Sequence, residues 1–305
     1  MSADAPPLAP LRSLVEDLHA RREQIKLGGG EEKIARQHAA EKLTARERLA
    51  LLIDDGTWVE LGIHGRPHFS QAAMAGKDAP ADGVVTGYGK VDGRLVAVAA
   101  YDFTVMAGSM GMTGELKVSR LRELALTKRI PMVWLLDSAG ARIQEAVGSL
   151  FAGSGHLFRE EVVASGVVPQ VAALMGPCAA GTAYIPGLAD FVPMVRGRGS
   201  MALAGPHLVR AAVGENVTQE ELGGSRVHCR KSGVGGPAVW GGARTWRPPT
   251  TRSASRGSRN TCRTSRRTAR RRRRWSSAAT RSTAATRSCS TCSRSPTASP
   301  MTCTT

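Results

Sequence analysis

Between Gly235 and Thr305 the chain contains no lysine, aspartate, glutamate, leucine or isoleucine, yet it carries 16 arginines. All 25 acidic residues and 26 of the 42 lysines and arginines lie before Gly235, so the first 234 residues are near neutral. The net charge of +17 is therefore a property of the tail. A segment so poor in large apolar residues cannot bury enough surface to offset its chain entropy, so 235–305 is expected to be disordered. Cysteine is scarce before the tail, with only Cys178 and Cys229, which argues against a disulfide framework and points to a reducing, cytoplasmic setting. In the tail, Cys289-x-x-Cys292 is half of a zinc motif with no second half, so no metal is expected. The N-terminus lacks a basic stretch followed by an apolar one, and no apolar run approaches the ~20 residues of a membrane span. Neither a secretory leader nor a membrane partner is expected.

Several common active-site signatures are also missing. No Gly-x-Gly-x-x-Gly or Gly-Lys-Ser/Thr follows a strand pattern, which excludes the usual dinucleotide and P-loop readings. Ser154 lies between glycines, but residue 152 is alanine, so this is no nucleophile elbow, and neighbouring His156 reads as structural. Asp137 and Glu145 are available as bases, although such residues more often cap a helix or pair with a cation such as Arg142.

What is present is a periodic pattern. Leu11, Leu14, Val15 and Leu18 recur at helical spacing before a Gly28-Gly29-Gly30 break. A second helical stretch runs from about Glu31 into Leu52, with a capping box at Thr44-Ala45-Arg46-Glu47. These basic N-terminal helices read either as a docking arm or as a solvated face over a core stripe. From Asp82 the period changes to two. Val84 to Val91 and Leu95 to Ala99 flank an Asp92-Gly93 hairpin turn. A helix is expected from about Glu115 to Thr127, with strands at Pro131–Leu136, Val168–Met175, Asp190–Val195 and Ser200–Ala204. Strand, glycine-rich loop and helix in repetition indicate an α/β layered domain.

Two strand ends deliver turns of small residues: Asp137-Ser138-Ala139-Gly140-Ala141 and Gly176 to Gly181. Each is expected to lead into a helix. Such a turn lets backbone N–H groups approach a ligand without side-chain obstruction and suits an oxyanion. Tight strand–helix packing explains the same composition, and spacing alone leaves the two readings even.

The strings Asp82-Gly83-Val84-Val85-Thr86-Gly87-Tyr88-Gly89, Asp102-Phe103-Thr104-Val105 and Ser138-Ala139-Gly140-Ala141-Arg142-Ile143-Gln144-Glu145 are closely similar to one family. So are Ala164 to Gln170, Gly176-Pro177-Cys178-Ala179-Ala180-Gly181 and Glu221-Leu222-Gly223-Gly224. In order, they resemble the carboxyltransferase (beta) subunit of biotin-dependent acyl-CoA carboxylases of the propionyl-CoA or acetyl-CoA type. The resemblance runs from about Leu11 to Val234 and implies a crotonase-like ββα spiral (residues 31–234) behind an N-terminal helical arm (residues 1–30). It implies transfer of a carboxyl group from carboxybiotin to the α-carbon of a short acyl-CoA through an enolate. By the same likeness, the backbone amides of Ala139 and Gly140 form the oxyanion hole, and Gly176, Ala179, Ala180 and Gly181 line the CoA and biotin cleft. Relatives often carry glycine where this chain has Ala139. Implied partners are acyl-CoA, a biotin carboxylase/biotin carrier subunit and further copies of the chain. Methylcrotonyl-CoA carboxylase beta subunits and biotin-dependent decarboxylases share most of these strings and remain alternatives.

The likeness stops after Ser232-Gly233-Val234, where relatives continue into an acidic linker and a second crotonase-like domain. The chain is therefore expected to be inactive by itself. We read the tail as an out-of-frame translation of that linker. In GC-rich DNA, one back-translation of Ala279 to Ser293, shifted by two bases, yields an acidic, leucine-containing string. The rival from another class is a nucleic-acid binder using Arg270 to Arg274 and Trp275. No selected nucleic-acid partner is expected.

Overall fold

The computed structural model describes residues 10–67, 72–145, 155–236 and 238–239. Ser154, the cysteine pair at 289 and 292, and the basic tail from residue 240 onward lie outside the described residues. The chain opens with α1 (Leu11–Lys26), α2 (Glu31–Ala39) and α3 (Ala45–Leu52). The helix restart sits where the capping box placed it: Thr44 Oγ1 accepts the Glu47 N–H, and the Glu47 carboxylate accepts the Thr44 N–H at 2.7 Å. The glycine break between α1 and α2 is a steric requirement. A Cβ on Gly28 would lie 2.7 Å from the Asp102 carboxylate, and one on Gly29 would lie 1.9 Å from the Thr104 carbonyl. This contact seats α2 against the Asp102–Thr104 turn.

Next come β1 (Val59–Leu61), β2 (Val84–Val91), β3 (Arg94–Tyr101), α4 (Met112–Lys128) and β4 (Met132–Ser138). These lead to α5 (Gly155–Ala164), β5 (Gln170–Ala179), α6 (Tyr184–Leu188), β6 (Met194–Val195), β7 (Ser200–Ala202), α7 (Pro206–Val213) and β8 (Ala238–Val239). The sheet order is β1-β2-β3-β4-β5-β6-β8, with β7 also on β5. β1 to β3 are antiparallel, whereas β3 to β5 and the strands beyond run parallel. Parallel strands covered on both faces read as continuous apolar runs, and β4 (Met-Val-Trp-Leu-Leu) is buried along its whole length. Alternation divides the core. Ala97, Ala99, Tyr101, Trp134, Leu136 and Leu174 pack with Val118 and Leu121 of α4. Val96, Val98, Ala100, Val133, Leu135 and Ala173 pack with Leu49 and Leu52 of α3.

Three sequence expectations change. The Ser138–Ala141 corner does not open a helix among the described residues. Instead Ala141 makes a parallel bridge with Met110. The strand expected to stop at Met175 runs to Ala179, because Ala172 to Cys178 stays against its neighbours through the Gly176-Pro177 stretch. The ordered chain also passes the expected boundary at Val234. Gly236 donates to the Val192 carbonyl at 2.6 Å, and Ala238–Val239 pairs with β6.

Candidate active site

The two small-residue corners lie side by side at the ends of adjacent strands, where Ser138 pairs with Cys178. Gly140 has φ +98, and a Cβ there would meet the Ala179 carbonyl at 2.6 Å and the Ala180 Cβ at 3.1 Å. Only glycine permits both that backbone and that approach. On the opposite corner, Ala180 adopts φ +51, a left-handed conformation unusual for alanine. A Cβ on Gly181 would lie 2.9 Å from the Met110 methyl. Ala139 is exposed, and Ala179, Ala180 and Gly181 are half-buried, so the junction of the corners reaches the surface.

The amides named from the resemblance are already engaged. Ala139 N–H donates to the Ala107 carbonyl at 2.9 Å, and Gly140 N–H donates to Ser138 Oγ at 3.1 Å. Ser138 in turn donates to the Gly108 carbonyl at 2.6 Å. Of the two, only Gly140 has a partner, a rotatable hydroxyl, that can yield to a ligand. Gly176 is buried away from the junction. Its missing side chain makes room for Asp137, whose Oδ1 lies 1.9 Å from where a Cβ would be. The strand register shifts at this point, letting β5 bulge around that carboxylate.

Asp137 is a hub and not a base. Its fully buried carboxylate accepts from Lys42 Nζ at 2.7 Å, Arg48 at 2.8 Å and Gln37 at 3.1 Å. The three donors come from α3 and from α2 with the loop that follows it, so α2 and α3 are tied to the end of β4, directly before the corner. Glu145 is likewise committed, to Arg142 at 2.8 Å and to the Met112 N–H that opens α4 at 2.8 Å. Arg142 also pairs with Asp82, whose carboxyl burial holds above its ordinary value despite that partner. His156 is exposed on the first turn of α5. Burial pushes the Cys178 thiol up to about 12, which removes it as a thiolate nucleophile. Among the described residues no group of three metal-ligating side chains occurs. The Gln37–Lys42–Arg48 convergence carries no local signal, since its members lie 89 to 100 residues from Asp137.

The sheet with two apolar faces is that of a layered α/β protein, and its likeness to solved carboxyltransferases places it in the crotonase-like class. It belongs to the carboxyl transferase domain family, whose model matches residues 36–238. It is 45% identical over 227 residues to the alpha subunit of methylmalonyl-CoA decarboxylase from Veillonella parvula, covering 74% of this chain and 44% of that one. To the mitochondrial propionyl-CoA carboxylase beta chain of Homo sapiens it is 45% identical over 225 residues, covering 73% and 41%. Among solved structures, a transcarboxylase 12S hexamer with methylmalonyl-coenzyme A superposes with a TM-score of 0.73 at 40% identity, covering 77% and 46%. The geranyl-CoA carboxylase beta subunit of P. aeruginosa gives 0.63 at 27%, covering 79% and 45%. The chain thus spans less than half the length of these relatives.

Proposed function

We propose that this chain supplies the acyl-CoA side of a carboxyltransferase site of the propionyl-CoA carboxylase type. The observation that carries the reading is the meeting of Ser138–Gly140 with Ala179–Gly181, where Ala139 is exposed and Ala179, Ala180 and Gly181 are half-buried. There the thioester oxygen takes its hydrogen bonds from backbone donors as charge moves onto it. Ala139 is committed to Ala107, so the donors are drawn from Gly140 and the Ala180–Gly181 turn. Removing one such donor costs about 3 kcal/mol in related chemistry. Enolate formation stabilised in this way needs little side-chain acid–base work, which agrees with the committed state of Asp137 and Glu145. In this reading biotin is carried on a partner protein. Carboxybiotin supplies the carboxyl group. A biotin carrier and further copies of the chain are the partners this role requires, and the 12S relative is itself described as a hexamer.

Calorimetric titration of the full chain with propionyl-CoA tests the reading. We expect saturable binding that Ala139→Trp, a bulky side chain at the exposed position of the corner, abolishes while circular dichroism stays unchanged. Equal affinity in the two proteins, or no binding to the wild-type chain, defeats it.

A further inference from the structure

One buried cluster of charged side chains takes no part in the thioester chemistry. α4 and α5 pack against each other, and Arg122 of α4 lies between them, 2% exposed. Three carboxylates meet that single guanidinium: Glu160 at 2.7 Å, Glu161 at 3.2 Å and Glu115 at 4.0 Å. Glu160 also accepts from the Ser119 hydroxyl of α4, and Glu115 accepts from the Tyr101 hydroxyl of β3 at 3.4 Å. The guanidinium lies 5.1 Å from the Trp134 ring of β4. Glu161 is fully buried, whereas the side chains of Glu115 and Glu160 keep partial exposure.

One cation cannot neutralise three carboxylates. Were all three ionised, the cluster would hold a net charge of −2 largely away from water, so the deepest member keeps its proton. Burial holds Glu115 and Glu161 above their ordinary values, and Glu161 reaches about 7. Burial also raises the Tyr101 hydroxyl and the Cys178 thiol of β5, so both stay neutral in this range. Arg120 and Glu123 of α4 and His156 and Arg159 of α5 are exposed. We propose that α4 and α5 form a pH-sensitive latch: α5 closes on α4 with Glu161 protonated and loosens when that proton passes to water. The latch reaches the second corner. Phe158 of α5 meets Tyr184 edge to face, with ring centroids 4.6 Å apart, and Tyr184 opens α6 three residues after Gly181. Loosening α5 therefore removes a brace from the Ala180–Gly181 turn. The latch does not depend on the acyl-CoA reading.

Hydrogen–deuterium exchange of the full chain tests it, at about pH 5.5 and about pH 8 and corrected for the intrinsic pH dependence of exchange. Wild type is compared with Glu161→Gln and Glu160→Gln. A carboxyl held at about 7 when closed and 4.5 when open makes opening up to about tenfold easier per pH unit between those values. In wild type, amides of α5 and of residues 180–184 are expected to exchange about tenfold or more faster at the higher pH. Glu161→Gln, which mimics the protonated acid, should abolish that difference. Glu160→Gln removes a like charge and leaves Arg122 freer to pair with Glu161, so it should shrink the difference. Equal exchange of wild-type α5 at both pH values overturns the latch. So does a difference that survives in Glu161→Gln, as one caused by exposed His156 would, or one undiminished in the partly exposed Glu160→Gln. A response of α5 without one at 180–184 overturns the link to the corner.

Discussion

Replacing Asp137 with alanine should destabilise the protein by about 3–5 kcal/mol, the usual cost of leaving a buried charge without its partner. The magnitude follows from who is left behind. Lys42 borders a cleft between α2 and the turn from Phe103 to Ala107 and can turn toward solvent, but Arg48 is only 4% exposed and has no such route. Burial already holds the Lys42 ammonium below its ordinary value, with Asp137 opposing that shift. Removing the carboxylate leaves both cations to bear their desolvation unaided. In urea, with a slope of roughly 2 kcal/mol/M, the midpoint should move by about 2 M, followed by far-ultraviolet circular dichroism. Asp137→Ala/Arg48→Met should recover most of the loss, because the orphaned charge is gone. A single-variant loss under about 1 kcal/mol, or a double variant no better than the single, refutes the hub.

Other outcomes follow from the same structure. Glu161 is buried 3.2 Å from Arg122 Nε, and burial, only partly opposed by that guanidinium, pushes it up to about 7. A carboxyl raised in the folded state binds more protons there than in the unfolded chain. Stability should therefore fall by up to about 3 kcal/mol between its ordinary value of 4.5 and about pH 7, then level off. Glu161→Gln should flatten that slope in urea melts, and an unchanged slope would assign it to other groups. Ala180→Gly should stabilise by about 0.5–1 kcal/mol, since relief of the left-handed backbone outweighs the added entropy of the unfolded glycine. A loss of stability in thermal melts would show that φ is not held at +51 in solution. Resequencing the gene across codons 230–310 should reveal a shifted frame, and an intact frame encoding the arginines would end that account of the tail.

Much of this architecture was legible before any coordinates. Thr44 and Glu47 reported a helix start because capping is local chemistry. Asp92-Gly93 reported a hairpin because its turn needs positive φ at both positions, and both have it. The apolar runs of β3 and β4 likewise reported strands, and both are buried without interruption, β3 from Val96 to Tyr101. What escaped was long-range. The Ser138–Ala141 corner has the composition of a helix start, yet Met110 captures it by a bridge formed 31 residues back in the chain. Gly176 has the composition of a ligand loop, yet its vacancy is filled by Asp137. The basic face of α2 was ambiguous until the Gly28–Gly29 contact with the Asp102–Thr104 turn made it the wall of a cleft.

Hydrogen–deuterium exchange of the full chain, with and without saturating propionyl-CoA, tests the central claim most directly. Slowed exchange confined to the segments around Gly140 and Ala180–Gly181 is the predicted result. Protection elsewhere with both corners unaffected would mean that the thioester binds at another place, and the site described here would be wrong.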